Sequence, residues 1–146
     1  MRVRVYKAGD PIRDLAHVRL LDRLRSRLGE GLTFRAEVPL PDPDDRRAWD
    51  GWIGGIRAPI PTLRSVPVEA ETRVADAQAV MRKLALKLRD GRVDHILLIV
   101  ADTKANRDAI AAAGMAFREL FPISSRRALR ALAAGQHPGG SALVFL

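Results

Sequence analysis

Three carboxylates stand at spacings that could hold a divalent metal ion. Asp50 lies in Arg47-Ala48-Trp49-Asp50-Gly51-Trp52, and Glu69 and Glu71 lie in Val66-Pro67-Val68-Glu69-Ala70-Glu71-Thr72-Arg73. Side chains alternate along a strand, so Glu69, Glu71 and Arg73 share one face while Val66, Val68, Ala70 and Thr72 take the other. Like charges side by side on a strand repel. A metal ion or a basic partner between them relieves that cost, and carboxylates of this kind hold Mg²⁺ or Mn²⁺ in phosphodiester hydrolysis. A nearby cation then stabilises charge on the phosphate. The competing reading of the same acids is a solvated strand face paired to Arg64, Arg73 or Arg82, with Asp50 serving a turn or cap.

These residues need a sheet and covering helices to position them. Arg2 to Tyr6 alternates Arg-Val-Arg-Val and predicts a short strand. Asp10-Pro11 predicts a helix start, and Leu15, Val18, Leu21, Leu24 and Leu28 follow at helical spacing to Gly29. Strands are expected over Thr33–Leu40, Arg47–Ile53 and Ser65–Arg73, with the proline-bearing segment Arg57–Leu63 as a loop. Asp76–Arg89 predicts an amphipathic helix with Ala77, Val80, Met81, Leu84 and Leu88 as its stripe. The continuous apolar run from His95 to Ala101 predicts a buried central strand. A helix over Asn106–Leu120 follows, then a shorter one capped by Ser124 or Ser125 and running to Ala134, then a last strand over Ala142–Leu146. The expected architecture is α/β, a mixed central sheet flanked by helices.

At 146 residues the chain fits a single domain over 1–146, and 47% apolar content supplies a core. The longest apolar run, Ile96 to Ala101, is too short to span a bilayer, so no membrane partner is expected. Met-Arg-Val-Arg-Val does not read as a signal peptide, and there are no cysteines, so a cytoplasmic location is expected. A formal charge of +8 points to a polyanionic partner, DNA foremost. Arginine used wherever a solvated residue will do gives the same total. Arg82, Lys83 and Arg89, with Arg126, Arg127 and Arg130, form a basic stripe that contacts phosphate or is merely solvated. His17, His95 and His137 lack metal-ligand spacing.

The order helix, strand, strand with Asp50, strand with Glu69-Ala70-Glu71, helix, strand resembles the PD-(D/E)XK nuclease superfamily over roughly residues 12–101. The resemblance implies a restriction-endonuclease-like core in which Asp50, Glu69 and Glu71 hold Mg²⁺ or Mn²⁺. The signature lysine falls on Glu71, or on Arg73 if the signature is Glu71-Thr72-Arg73, and arginine keeps its charge but cannot act as a base. Members of the superfamily sometimes carry the lysine on the following helix, where Lys83 and Lys87 stand, and some carry a helix glutamine, where Gln78 stands. Gln78 and Lys87 are nine residues apart, about 180° around a helix at about 100° per residue, and should not face one site.

Nearly the whole chain also resembles a domain C-terminal to helix-turn-helix modules in actinobacterial proteins. The carriers are Arg4-Val5-Tyr6, Ala8-Gly9-Asp10-Pro11, Glu37-Val38-Pro39-Leu40, Arg47-Ala48-Trp49-Asp50, Val68 to Arg73, Lys87 to Gly91, Ala101-Asp102-Thr103 with Asn106-Arg107, and Pro138-Gly139-Gly140. That resemblance implies association with DNA-binding proteins. Two functions follow. One is a metal-dependent, endonuclease-like phosphodiesterase acting on DNA, with Lys87 or Arg73 stabilising phosphate charge. The other is a catalytically silent module serving a transcription regulator in binding, sensing or homodimer formation.

Overall fold

The computed structural model describes residues 11–146, so the strand expected over Arg2–Tyr6 and the Asp10 cap lie outside the described residues. Five strands form one sheet in the order of the chain: β1 (Thr33–Pro39), β2 (Ala48–Gly54), β3 (Val66–Glu71), β4 (Leu97–Val100) and β5 (Ala142–Phe145). The short links after β1 and β2 allow only antiparallel neighbours, and β1, β2 and β3 pair that way. Parallel neighbours need a crossover, and β4 and β5 each join in parallel after helical connections. Helix α2 (Ala77–Gly91) links β3 to β4, and α3 (Lys104–Ala113), α4 (Met115–Leu120) and α5 (Ser125–Ala133) link β4 to β5. Helix α1 (Pro11–Arg25) precedes the sheet.

Both faces of the sheet are covered. Leu20 and Leu24 of α1 and Leu132 of α5 pack with Ile53, Val68, Ile99 and Val144 on one side. Leu84 of α2 and Phe117 of α4 pack with Trp49, Leu98 and Val100 on the other. The protein is thus α/β, a mixed sheet between two helical layers. All four residues of β4 are buried, which is why that strand reads as an unbroken apolar run rather than an alternation. No helix among the described residues is long and apolar enough to cross a membrane.

Two local departures from the sequence reading have physical causes. The helix expected over Asn106–Leu120 is two helices, because Gly114 adopts φ 60 and breaks the hydrogen-bond ladder between α3 and α4. The first of them starts at Lys104, with Thr103, one of the two caps the sequence offers there beside Asp102, accepting the Asn106 N–H at 3.1 Å. The stripe of α1 is rotated. Leu15 and Val18 are 48% and 51% exposed, while Leu20, Leu21 and Leu24 meet the sheet. That phase also turns His17 inward, one turn before Leu21.

Helix α2 ends against Trp49. A Cβ added at Gly91 would sit 2.6 Å from the Trp49 Cζ2. Gly91→Ala should therefore lower stability by about 1–3 kcal/mol through overpacking, although alanine is intrinsically the better helix former. Urea unfolding measures this, and a variant as stable as the parent would show that the indole moves freely.

His95 and His137 meet edge-on with ring centroids 5.5 Å apart, and the Gly139 N–H donates to the His137 Nδ1 at 2.9 Å. Burial, and secondarily charge on His95, push His137 down to about 4 from its ordinary 6.5. A folded value below the unfolded one gives stability that is present above pH 6.5 and lost as pH falls towards 4. Melting temperatures of the parent and of His137→Gln should converge across that window as pH falls, and a gap that stays constant would contradict the burial effect.

Candidate functional site

The site begins with an irregularity in β1 and β2. On either side of it the ladder pairs Ala36 with Gly51 and Val38 with Trp49. Between them Glu37 adopts φ 52, a left-handed conformation rare for a residue with a Cβ. Residues four apart on a regular strand share a face. Here Phe34 and Ile53 belong to the α1/α5 core, whereas Val38 and Trp49 belong to the α2 core. The two strands change faces at Glu37 and Asp50. Pairing of β2 with β3 runs only from Gly51 to Ile53. Asp50, released from the ladder, turns its carboxylate between the strands and accepts the Ala70 N–H at 2.9 Å.

Next to Asp50, the Glu69 side chain is 1% exposed. It faces α2, and Lys87 Nζ donates to its Oε1. Lys87 also donates to the Ala48 carbonyl at 2.7 Å and stands over the Trp49 ring, 5.4 Å from its centroid. The Asp50 and Glu69 carboxyls are close enough to shift each other's acidity. On the other side of Asp50, His17 Nε2 of α1 is 3.4 Å from Oδ2.

The two acids are driven apart in acidity. Burial pushes Glu69 well above the usual carboxylate range, Asp50 adds to that, and Lys87 opposes it. Burial works against the Asp50 anion too, but hydrogen bonds from His17, Glu69 and the Ala70 N–H outweigh it and hold Asp50 well below the usual range. His17 is raised in turn, chiefly by its hydrogen bond to Asp50. Asp50 is the anion of the pair, and Glu69 is the member that takes a proton first.

Two residues further along β3, Glu71 accepts from Lys83 at 2.8 Å. Beyond the strand end, Arg73 is exposed. A cleft of about 500 Å³ lies beside the cluster, lined by Asp14, His17, Glu37, Glu71, Thr72 and Arg73. Its wall is more acidic than basic. A larger cleft, about 580 Å³, runs past Asp45, Arg47, Arg89 and Asp90. Its charges neutralise one another, with Arg47 at 2.6 Å from both Asp45 and Asp90, and it holds no buried acid.

Of the residues singled out in the sequence, the structure brings Asp50, Glu69 and Lys87 together. Glu71 turns to Lys83 rather than joining them, and Arg73 stands on the cleft rim. Gln78 is exposed in the first turn of α2, away from the face that carries Lys87. Among the described residues, no group of three or more His, Cys, Asp or Glu side chains is arranged to hold a metal ion. The basic stripe does not form one surface, because α2 and α5 cover opposite faces of the sheet. Trp49 and Trp52 both pack in the α2 core, Trp49 fully buried and Trp52 partly. In the sequence His17 is one of three scattered histidines. Helical spacing from Leu20, Leu21 and Leu24 would have placed it inward, but Leu15 and Val18 pulled the stripe out of phase.

Comparison with family models, curated proteins and solved structures finds no match to this chain.

Truncating Lys87 strands a buried carboxylate beside Asp50. Lys87→Met should cost about 3–5 kcal/mol, and adding Glu69→Gln should recover much of that. Chemical unfolding of the parent, both single variants and the double variant closes the cycle. Strict additivity would mean that the two side chains do not interact.

Proposed function

We propose that this protein is a metal-dependent phosphodiesterase acting on DNA, with Asp50, Glu69 and Lys87 as its working group. The observation that carries the reading is the arrival of Lys87, from α2, on the carboxylate of Glu69. The sequence leaves the signature lysine position to Glu71; the helix supplies an ammonium to the neighbouring acid instead. The order α1-β1-β2-β3-α2-β4, with Asp50 on β2 and Glu69 on β3, supports the same reading.

The donor set fits Mg²⁺ or Mn²⁺. Magnesium is commonly held by one or two carboxylates and completes its shell with water and substrate phosphate oxygens. Asp50 and Glu69 would hold it, and Asp50 already carries the charge. When bound, such an ion polarises a phosphoryl oxygen and acidifies a water. The rest of the chemistry belongs to the chain. His17 and the Ala70 N–H fix Asp50 as an anion facing Glu69. Lys87, itself anchored on the Ala48 carbonyl, fixes Glu69 before any ligand arrives. Hydrolysis adds water across one P–O bond, and the proton from the water leaves with the departing oxygen. The acidic cleft wall repels a phosphodiester until positive charge enters it, which makes cleavage conditional on the cation.

One observation favours a second reading, a silent module of a DNA-binding regulator. Both strand acids are already neutralised by lysines of α2, so the cluster is complete as an internal ion-pair network.

Supercoiled plasmid should be nicked by the parent chain with Mn²⁺ or Mg²⁺ and spared in EDTA. Asp50→Asn and Glu69→Gln should each slow nicking by about 100–1,000-fold. A parent that neither nicks plasmid nor binds Mn²⁺ by calorimetry sinks the enzymatic reading and leaves the silent one.

A further inference from the structure

Helices α1 and α5 cover the same face of the sheet, and their ends meet. The Gly29 N–H, just past α1, donates to the Leu132 carbonyl of α5 at 2.9 Å. Arg19, Arg23 and Arg27 on and just after α1, and Arg126, Arg127 and Arg130 on α5, are all solvent-exposed. Among the described residues none of these six forms an ion pair. Arg47, Lys83, Arg89, Lys104 and Arg107 are each paired with an acid, whereas Arg82 and Arg118 on the other layer are exposed and unpaired as these six are.

Fold stability does not account for this layout. Arginines in the last turn of a helix are favoured by its macrodipole, and Arg23 and Arg130 have that excuse. Arg126 and Arg127 do not. They sit in the first turn of α5, which holds no acid, where positive charge is disfavoured.

We infer that the outer surface of α1 and α5 is a second, metal-independent binding surface for the phosphate backbone of duplex DNA. Guanidinium groups match phosphate oxygens in bidentate fashion. No aromatic side chain among the described residues is exposed, so there is no platform on which unpaired bases would stack. Backbone contacts without base contacts give affinity without sequence preference. Asp14 and His17, in the first half of α1, wall the cleft beside the Asp50 cluster, and none of these six arginines lines it. The inference stands without the proposed hydrolysis, which needs a cation; the two are separated by working in EDTA.

The test is fluorescence anisotropy of a 20-base-pair duplex of arbitrary sequence, in EDTA, across a salt series. The Arg126→Glu/Arg127→Glu pair should weaken binding at least tenfold and flatten the log–log salt slope by about 2. Its melting temperature should equal or exceed the parent's, because the new charges suit the first turn. Arg82→Glu/Arg118→Glu, the same charge change on the other helical layer, should shift affinity less than threefold. Equal weakening by both pairs would reduce the effect to net charge and overturn the proposal. So would a parent that fails to bind duplex at 50 mM salt, including one that binds phosphatidylserine vesicles instead. Binding without plasmid nicking would count against the cleft reading alone.

Discussion

A carboxylate on the central strand of a covered sheet has to be neutralised where it stands. Glu69 is that carboxylate, and Lys87 meets it from α2. An uncompensated charge there would cost several kcal/mol, so the helix can adopt only the rotation and height that deliver the ammonium. Val80, Leu84 and Gly91 of α2 are buried along with Lys87. Gly91 is small because Trp49 lies against it, and Trp49 lies there because β2 changes faces at Asp50. The Lys87 bond to the Ala48 carbonyl ties β2 to the same helix. Apolar packing on this face is arranged around one ion pair.

Much of the fold was legible because its signals are local. The apolar run of β4, the stripe of α2 and the proline-glycine punctuation each report on a few consecutive residues. What escaped depended on partners distant in sequence. The phase of α1 was set by which leucines the sheet accepts, and two exposed apolar residues, Leu15 and Val18, misdirected it. The exchange of faces at Glu37 and Asp50 needs both strands of the ladder, and neither segment alone marks it. Asp50, Glu69 and Lys87 could be nominated from the sequence; His17 could not, because its partner lies 33 residues away on another element. Gln78 and Lys87 were separated correctly by helical angle alone.

Charge is distributed unevenly. On the α2 side Glu69 and Glu71 are each paired with a lysine. Exposed arginines of α1 and α5 form no ion pair among the described residues, although Asp14, Asp22 and Glu30 stand on or just after α1. The cleft beside the cluster is bounded by α1 as well as by the sheet, through Asp14 and His17. A net charge of +8 conceals this pattern.

The second acid on β3 shows why Glu71 in the place of a lysine need not empty the site of positive charge. Two residues along a strand advance about 6.7 Å, and four residues along a helix advance about 6 Å. A crossover helix runs back against the strand that precedes it. Glu69 and Glu71 therefore meet Lys87 and Lys83 in reversed order, one pair to each step. The pattern Glu-x-Glu followed by Lys-x-x-x-Lys is a strand face and a helix face in matching register. The two pairs are nevertheless unequal. Lys83 is half-exposed and its contact is screened by water, whereas Lys87 is buried and its charge acts on Glu69 with little screening. Moving the lysine from strand to helix thus keeps the cation at the buried acid, where it can change acidity, and leaves Glu71 to balance the rim.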